Sequence, residues 1–249
     1  MSKIAIVTGG TRGLGEAMTL KLGDMGYNVA INYHSDSSKA LADNLISKLE
    51  SKGVEAIAVQ ADVSKYEDCE KLVRAVTERF GNKLDVLINN AGITNNCNFI
   101  DITVEAYTRV INTNLLSLLH MSHLCLPYLV DHDSCIINTS SVGGLTGVIN
   151  QADYCAAKSG VIGLTRALAL EFASPKYSEG LIGLSACIGG DIPQLLLNGM
   201  VDEAKALAAT IPMGYIGEPS DIAGCMEYIL TARYLTGQTI SPNGGFVMP

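Results

Sequence analysis

A tyrosine and a lysine, Tyr154 and Lys158, stand four residues apart in a stretch of small residues. If this stretch is helical, both side chains lie on one face, about 6 Å apart along the helix axis. A free phenol has a pKa of about 10, and a cation beside it stabilises the phenolate and lowers that pKa. Such a pair can transfer protons near neutral pH. The spacing also fits a half-buried tyrosine with a lysine packed along it, so the pair alone does not establish an active site.

A glycine-rich turn near the start of the chain follows a short apolar run and precedes a helix-length segment. Glycines let the backbone approach a ligand closely, and a helix N-terminus offers unpaired N–H groups to a phosphate. The turn therefore predicts a dinucleotide-binding site, although a tight strand-to-helix connection would also use glycine. The residues of the turn that we expect to contact the cofactor are Gly9, Thr11, Arg12, Gly13, Leu14 and Gly15.

The end of the second predicted strand decides between the two nicotinamide cofactors. An Asp or Glu there would bond the ribose of NAD and repel the 2′-phosphate of NADP. The strand ends in Asn32, Tyr33, His34 and Ser35 without a carboxylate, and Arg12 in the turn can pair with a phosphate. These residues predict NADP(H) rather than NAD(H).

Short β-branched runs alternate with helix-length segments along the 249 residues. The predicted strands cover residues 3–8, 28–33, 54–60, 84–88, 134–139, 181–188 and 238–241, and the predicted helices cover 14–25, 37–51, 65–80, 104–126, the segment of Tyr154 and 221–230. This alternation predicts an α/β fold, a doubly wound parallel sheet of about seven strands with helices on both faces. No repeat or linker marks a boundary, so we expect a single domain over residues 1–249.

Charge and composition exclude several other classes of function. The formal net charge of −8 and the pI of about 5.0, without a run of Lys or Arg, argue against a nucleic-acid surface. We see neither a signal peptide nor an apolar segment of bilayer length, so we expect a soluble cytoplasmic protein without membrane contact. The seven cysteines form no CxxC pair and fit reduced thiols. His120 and His123 are spaced like ligands, but no Cys or carboxylate accompanies them, so no metal is expected.

Four separated motifs resemble those of the short-chain dehydrogenase/reductase family, in the family's order and spacing. The glycine turn matches TGxxxGxG, Asp62-Val63 match the acidic-apolar pair after the third strand, and residues 89–92 match NNAG. The family's catalytic tetrad falls on Asn114, Ser141, Tyr154 and Lys158. The resemblance covers essentially the whole chain and implies a Rossmann-like fold.

The resemblance implies hydride transfer between a nicotinamide and a ketone, with a role for each residue. Tyr154 would supply the proton to the developing negative charge on oxygen, and Ser141 would donate a second hydrogen bond. Lys158 would hold the cofactor ribose and lower the pKa of Tyr154, and Asn114 would anchor a water that relays protons. The further cofactor contacts that the resemblance implies are Asp62, Val63, Asn90, Ala91, Gly92, Gly190 and Ile192, besides Tyr154 and Lys158.

The segment after the sixth predicted strand departs from the family pattern. Gly189 stands where the family has a proline, and Gln194 where it has a threonine, so we expect a more flexible loop at the nicotinamide. A substrate lid is expected around residues 193–212. The loops at residues 93–98 and 143–150 are expected to set substrate specificity with it.

Within the family, the motifs are most similar to those of reductases of 3-oxoacyl thioesters, which implies an acyl thioester or a small ketone as substrate. An acyl carrier protein is acidic, and residues 131–133 are Asp-His-Asp where docking needs basic side chains. We therefore expect a free ketone or a coenzyme A thioester rather than a carrier-bound one. Family members commonly assemble through their long helices, so a homotetramer is expected.

Other functions fit the same fold. An alcohol, sugar or steroid dehydrogenase would use the same residues oxidatively, because the cofactor ratio sets the direction. A non-enzymic NADP-binding protein would not need an intact tetrad. An epimerase or dehydratase would usually need a longer C-terminal domain than the roughly ninety residues that follow Lys158.

Overall fold

A computed structural model describes residues 2–129, 134–172, 184–188 and 201–248 of the chain. The strands are β1 Lys3–Val7, β2 Tyr27–Tyr33, β3 Ala56–Gln60, β4 Val86–Asn89, β5 Cys135–Ser140, β6 Leu184–Ile188 and β7 Thr239–Ile240. The α-helices are α1 Gly13–Asp24, α2 Lys39–Glu50, α3 Tyr66–Phe80, α4 Val104–Ile111, α5 Ser117–Cys125, α6 Gly143–Thr146, α7 Ala152–Phe172, α8 Val201–Ala208 and α9 Pro219–Thr231. Short 3-10 turns cover Asp36–Ser38 and Leu126–Tyr128, and a π-helical segment covers Asn112–Leu116.

The seven strands form one parallel sheet in the order β3-β2-β1-β4-β5-β6-β7. Ala5 in β1 lies opposite Val29 in β2 on one side and opposite Val86 in β4 on the other. The strand order reverses between β1 and β4, so a crevice opens beyond the carboxyl ends of these two strands. The predicted fold class, a doubly wound parallel sheet with helices on both faces, is confirmed.

The sheet separates two apolar cores, because neighbouring residues of a strand point to opposite faces. In β1, Ile6 packs in a cluster with residues of α3, α5 and α7, whereas Ala5 and Val7 pack with residues of α1, α2 and α9. All three strand residues are buried. Burial on both faces explains why β1 is a continuous apolar run in the sequence rather than an alternating one.

The helix between β4 and β5 differs from its prediction. The sequence predicts one helix over residues 104–126, but the structure has α4 and α5 joined by the π-helical segment Asn112–Leu116. A π turn contains one residue more than an α turn, and such bulges occur frequently at functional sites. The segment contains Asn114, which is fully buried.

The expected lid around residues 193–212 is described from residue 201 onward, where α8 begins. The chain after α8 is tied to the C-terminal loop, since the Met213 N–H donates to the Gly244 carbonyl at 3.1 Å. Residues 193–200 and 181–183, the start of the sixth predicted strand, lie outside the described residues.

None of the helices in the described part of the chain is long and apolar enough to cross a membrane. Within the same residues, no three His, Cys, Asp or Glu side chains are grouped so that they could hold a metal ion. The ring of His120 instead packs edge-on against Tyr66, with the ring centroids 5.4 Å apart.

Candidate active site

The glycine turn lies between β1 and α1 and depends on glycine at several positions. Gly9 and Gly13 have φ angles of +61° and +56°, a region that side chains other than glycine rarely adopt. A Cβ on Gly15 would lie 2.1 Å from the Gly9 carbonyl oxygen, which is far inside contact distance. The turn therefore runs tightly against the start of α1, so the N–H groups at that helix end stay open to a ligand.

Arg12 immediately precedes α1 in an extended conformation, with φ −154° and ψ 162°. Its side chain is exposed and forms no hydrogen bond or ion pair with the described residues, so its guanidinium can meet a phosphate. The neighbouring residues of the turn are less exposed to solvent. Thr11 is 5% exposed, and Leu14 packs against the core on the α1 face of the sheet.

Asn32, at the end of β2, holds the glycine turn in place. Its Oδ1 accepts a hydrogen bond from the Gly9 N–H at 3.2 Å, and its Nδ2 donates to the Ala61 carbonyl at 3.0 Å. The side chain is 2% exposed. Both ends of the side-chain amide are thus hydrogen-bonded within the protein, and Asn32 links the glycine turn to the residue that follows β3.

The side chains after β2 lie beside the end of β3. The exposed His34 places its Nδ1 3.9 Å from Asp62 Oδ1, and the Ser35 hydroxyl is hydrogen-bonded to the Ser37 hydroxyl at 2.7 Å. Tyr33, by contrast, is buried. The predicted cofactor residues of β2 and β3 are therefore neighbours at one end of the sheet.

The carboxyl of Asp62 is held ionised by its surroundings. Partial burial acts to raise its pKa, but hydrogen bonds from the Ser64 hydroxyl and N–H, with the charges of His34 and Lys65, outweigh burial and keep the pKa below its usual value. Val63 beside it is buried in the core on the α3 face. Asp62 is thus a negatively charged hydrogen-bond acceptor that is held in place after β3.

Thr8 fixes the NNAG segment after β4. Its hydroxyl accepts hydrogen bonds from the N–H groups of Asn90 at 2.9 Å and Ala91 at 3.0 Å. Asn90 Nδ2 in turn donates to the carbonyls of Thr8 and Gly9 at 3.0 and 3.1 Å. The ends of β1 and β4 are therefore locked together at the point where the strand order reverses.

Gly92 lies against two residues of the predicted tetrad. A Cβ built on it would lie 2.8 Å from Asn114 Oδ1 and 3.6 Å from Lys158 Nζ. Asn114 also clamps the next residue, because its Oδ1 accepts from the Ile93 N–H at 2.8 Å and its Nδ2 donates to the Ile93 carbonyl at 2.7 Å. The π-helical segment thus presents Asn114 to the loop after β4.

The remaining tetrad residues come from β5 and α7 and are buried. Ser141, Tyr154 and Lys158 are 5%, 4% and 3% exposed. Lys158 Nζ lies 5.7 Å from the centre of the Tyr154 ring and donates to the Thr139 carbonyl at 2.8 Å. The hydroxyl of Ser141, which follows β5, accepts from the Gly143 N–H at 3.2 Å. The phenol and the ammonium lie on one face of α7, as the spacing predicts.

A buried polar network that the sequence analysis missed lies beneath these residues. Asn89 Nδ2 donates to Asn138 Oδ1 at 2.9 Å, Asn138 Nδ2 donates to the Thr165 hydroxyl at 2.9 Å, and that hydroxyl donates to the Val161 carbonyl at 2.8 Å. Asn89, Asn138 and Thr165 are at most 1% exposed. The network joins β4, β5 and α7, and the isolated Asn138 in an apolar strand was its signal in the sequence.

Several predictions fall outside the described residues. These are the cofactor contacts Gly190 and Ile192, the departures from the family pattern at Gly189 and Gln194, and the acidic segment 131–133. They stay predictions.

The residues that are described fit a dinucleotide. A Cβ on Gly15 would clash with the backbone of the turn itself, whereas a Cβ on Gly13 would meet nothing within 4 Å, so the turn is open beside Gly13. Around it stand a helix N-terminus, the guanidinium of Arg12, which has no partner among the described residues, and the carboxylate of Asp62. These are donors and acceptors that a pyrophosphate and an adenosine require.

Comparison with known proteins places this geometry in a family. The short chain dehydrogenase family matches residues 3–182. The chain is 38% identical over 252 residues to the 3-oxoacyl-acyl-carrier-protein reductase FabG of Staphylococcus epidermidis, with 100% of both chains covered. It is 38% identical to the acetoacetyl-CoA reductase of Shinella zoogloeoides, with 98% of both covered.

A solved structure shows the same architecture over nearly the full length. The crystal structure of a variant of actinorhodin polyketide ketoreductase with NADPH is similar with a TM-score of 0.86 and 28% identity, covering 98% of this chain and 97% of that one. The chain therefore belongs to the short-chain dehydrogenase/reductase family.

Proposed function

We propose that the chain is an NADPH-dependent reductase that converts the ketone of a 3-oxoacyl thioester to a secondary alcohol. The observation that carries this proposal is the burial of Asn114, Ser141, Tyr154 and Lys158 beyond the carboxyl ends of the strands, with Asn114 and Lys158 meeting at Gly92 and Lys158 beside the Tyr154 ring. The relatives support the substrate class, since they are named for a 3-oxoacyl thioester, acetoacetyl-CoA and a polyketide.

When bound, NADPH supplies the hydride that reduces the carbonyl carbon. The protein's part is to meet the negative charge that develops on the carbonyl oxygen. The phenol of Tyr154 donates its proton to that oxygen, and the Ser141 hydroxyl, held by the Gly143 N–H, donates a second hydrogen bond.

Lys158 and Asn114 prepare the phenol for this step. An ammonium has three donors, and one of those of Lys158 is fixed by the Thr139 carbonyl, which sets the position of the charge beside the Tyr154 ring. The positive charge favours the phenolate that remains after proton transfer. Asn114 Oδ1 has a second lone pair beyond its bond to Ile93, and we assign it the water that returns a proton through Lys158.

The other end of the cofactor meets the residues after β1, β2 and β3. We assign the pyrophosphate to the turn and the start of α1, the 2′-phosphate to Arg12, His34 and Ser35, and the adenine to Asp62 and Val63. Isothermal titration checks this assignment. NADPH should bind at least about tenfold more tightly than NADH, because a charge-assisted phosphate contact contributes about 1.5–3 kcal/mol. Arg12→Ala should reduce that preference, and an unchanged ratio refutes it.

The decisive test of the function is reduction of acetoacetyl-CoA by the purified chain, followed as loss of NADPH absorbance. Tyr154→Phe removes only the hydroxyl and should lower kcat by at least about 100-fold while leaving the Kd for NADPH within about twofold, because the general acid is lost and the cofactor site is kept. Tyr228→Phe, an exposed tyrosine on α9, is the matched control. Turnover retained by Tyr154→Phe contradicts the mechanism.

The carrier of the thioester is part of the proposal. The net charge of −8 disfavours docking of an acidic carrier protein, so we propose that coenzyme A thioesters or free ketones are preferred. A comparison of acetoacetyl-CoA with carrier-bound acetoacetyl measures this preference, and a tenfold preference for the carrier-bound form overturns the proposal.

We also propose a cytoplasmic location for the protein and a substrate lid formed by residues 193–212.

We further propose a homotetramer that pairs through α4, α5 and α7. Leucines on this face are exposed in the single chain, with Leu116, Leu119 and Leu170 at 36%, 41% and 83%. A groove of about 230 Å³ between α5 and α7 lies on the same face and is lined largely by apolar side chains. Size-exclusion chromatography with light scattering tests the assembly, and a monomer at micromolar concentration refutes it.

A further inference from the structure

Asp153 is a buried acid that the proposed mechanism leaves unused. It is 6% exposed and lies in the first turn of α7, immediately before Tyr154. Its Oδ1 accepts a hydrogen bond from the Tyr154 N–H at 2.8 Å, and its Oδ2 lies 3.4 Å from Asn95 Nδ2. No lysine, arginine or histidine among the described residues forms an ion pair with it.

The contact with Asn95 belongs to a set that joins the β4 loop, residues 93–98, to the segment before α7. The Cys97 N–H donates to the Asn150 carbonyl at 2.9 Å, and Gln151 Nε2 donates to Asn96 Oδ1 at 2.7 Å. The start of the same loop is the backbone that Asn114 clamps. The carboxylate therefore lies between the β4 loop and the helix that carries the proposed general acid.

Hydrogen bonding alone does not require a negative charge at this position. An asparagine would keep both contacts if the Asn95 amide turned to present its oxygen. It would also avoid the cost of burying a charge without a cationic partner, which the partial positive charge at the start of α7 offsets only in part. The charge of Asp153, rather than its shape, is the feature that the described part of the chain leaves unexplained.

We propose that Asp153 is a specificity residue that repels anionic substrates from this site. A free 3-oxo acid carries a carboxylate two bonds from the reacting ketone, whereas a thioester or amide is neutral at the same place. Like charges in a partly buried site are screened weakly by salt, so the repulsion acts under physiological conditions. The inference rests on the proposed function, because it narrows the substrate class of the same site.

The test compares acetoacetate with acetoacetamide as competitive inhibitors of the reduction of acetoacetyl-N-acetylcysteamine by NADPH. The two inhibitors match closely in size and differ in charge. In the wild type, the inhibition constant of acetoacetate should exceed that of acetoacetamide by about tenfold or more. In Asp153→Asn this ratio should fall by about tenfold, since the repelling charge is gone.

Two further variants separate charge from loop geometry. Asn95→Ala removes the contact and keeps the carboxylate, so it should leave the ratio unchanged. Asp153→Ser also removes the carboxylate and keeps an oxygen on the side chain, so it should lower the ratio as Asp153→Asn does, and it serves if Asp153→Asn folds poorly. The Kd for NADPH, measured by fluorescence titration, should stay within twofold of the wild type in all three variants.

Each outcome decides the inference. A wild-type ratio near one, or a ratio unchanged in Asp153→Asn or, where that variant does not fold, in Asp153→Ser, overturns it. An equal fall in Asn95→Ala also overturns it, because loop geometry would then be the cause. If the wild type does not reduce acetoacetyl-N-acetylcysteamine at all, the proposed function is refuted. The proposal that Asp153 repels anionic substrates rests on that function and is then refuted as well.

Discussion

A methyl group on Gly92 would clash with one of the proposed catalytic side chains, Asn114, and would contact a second, Lys158. The added Cβ would lie 2.8 Å from Asn114 Oδ1 and 3.6 Å from Lys158 Nζ. Since favourable contacts between nonbonded heavy atoms lie at about 3.5–4.0 Å, the amide of Asn114 must move by roughly 0.5 Å or more. Asn114 is fully buried, so this movement displaces its neighbours as well.

The displacement strains both hydrogen bonds between Asn114 and the Ile93 backbone, which measure 2.8 and 2.7 Å. Overpacking and a weakened buried hydrogen bond each cost about 1–3 kcal/mol, and the two effects overlap at one residue. A loss of about 2 kcal/mol lowers the Tm of a domain of this size by roughly 4–8 °C. Turnover should suffer more, by about 10- to 100-fold in kcat, because a shift approaching 1 Å misplaces the reacting groups.

The assay for Gly92→Ala measures kcat and KM with acetoacetyl-CoA and NADPH, beside thermal unfolding. Gly224→Ala in α9 is the matched control, because a Cβ there meets nothing within 4 Å and alanine favours the helix by about 1 kcal/mol. The control should keep its activity and melt at the same temperature or higher. A Gly92→Ala enzyme with kcat within twofold of the wild type would refute the placement of Asn114 and Lys158 against this glycine.

Three further predictions follow from the surroundings of the site. Gly15→Ala should weaken NADPH binding by at least about tenfold in isothermal titration, because its Cβ would lie 2.1 Å from a carbonyl oxygen of the turn; unchanged binding contradicts the tight turn. Asn138→Ala should lower the free energy of unfolding in urea by about 1–3 kcal/mol, because it removes two buried hydrogen bonds; a loss below about 0.5 kcal/mol would show that the network is dispensable. The folded-state pKa of Asp62 is depressed, so its stabilising contribution is present above the ordinary value of 3.8 and is lost as the pH falls through the lower folded value. The wild type should therefore unfold at a higher temperature than Asp62→Asn at pH 6, with the difference shrinking as the pH falls below 3.8, and a difference that grows in acid refutes the sign.

The strands and the glycine turn could be predicted because their signals are local. A strand that is buried on both faces must be a continuous apolar run, so residues 3–8 were predicted as a strand and Lys3–Val7 form one. The turn needs glycine for its own backbone at Gly9 and Gly13, whatever the remainder of the chain does. Both features depend on residues that are neighbours in the chain, so they can be recognised in the sequence.

The supports of the site could not be predicted, because they join residues far apart in the chain. Asn32 bonds to the N–H of Gly9 and to the carbonyl of Ala61, and only the pairing of three strands brings these groups together. The break in the helix at residues 112–116 could not be predicted either. Its first three residues, Asn-Thr-Asn, are weak helix formers, but a low helix propensity does not distinguish a π-helical segment from a regular α-helix. Its cause lies in the packing of the buried Asn114 against the β4 loop.

The β4 loop, residues 93–98, connects two parts of the proposed catalytic site, Asn114 and the segment that precedes Tyr154. Asn114 holds its start, and the residues just before Tyr154 hold its far end. The side chain assigned to the proton relay therefore also fixes the geometry of one cleft wall. Replacing Asn114 removes both functions at once, so a loss of activity in such a variant cannot be attributed to the relay. Asn95→Ala removes one of the contacts that hold the far end of the loop while Asn114 stays in place, so its kcat measures the contribution of that contact separately from the relay.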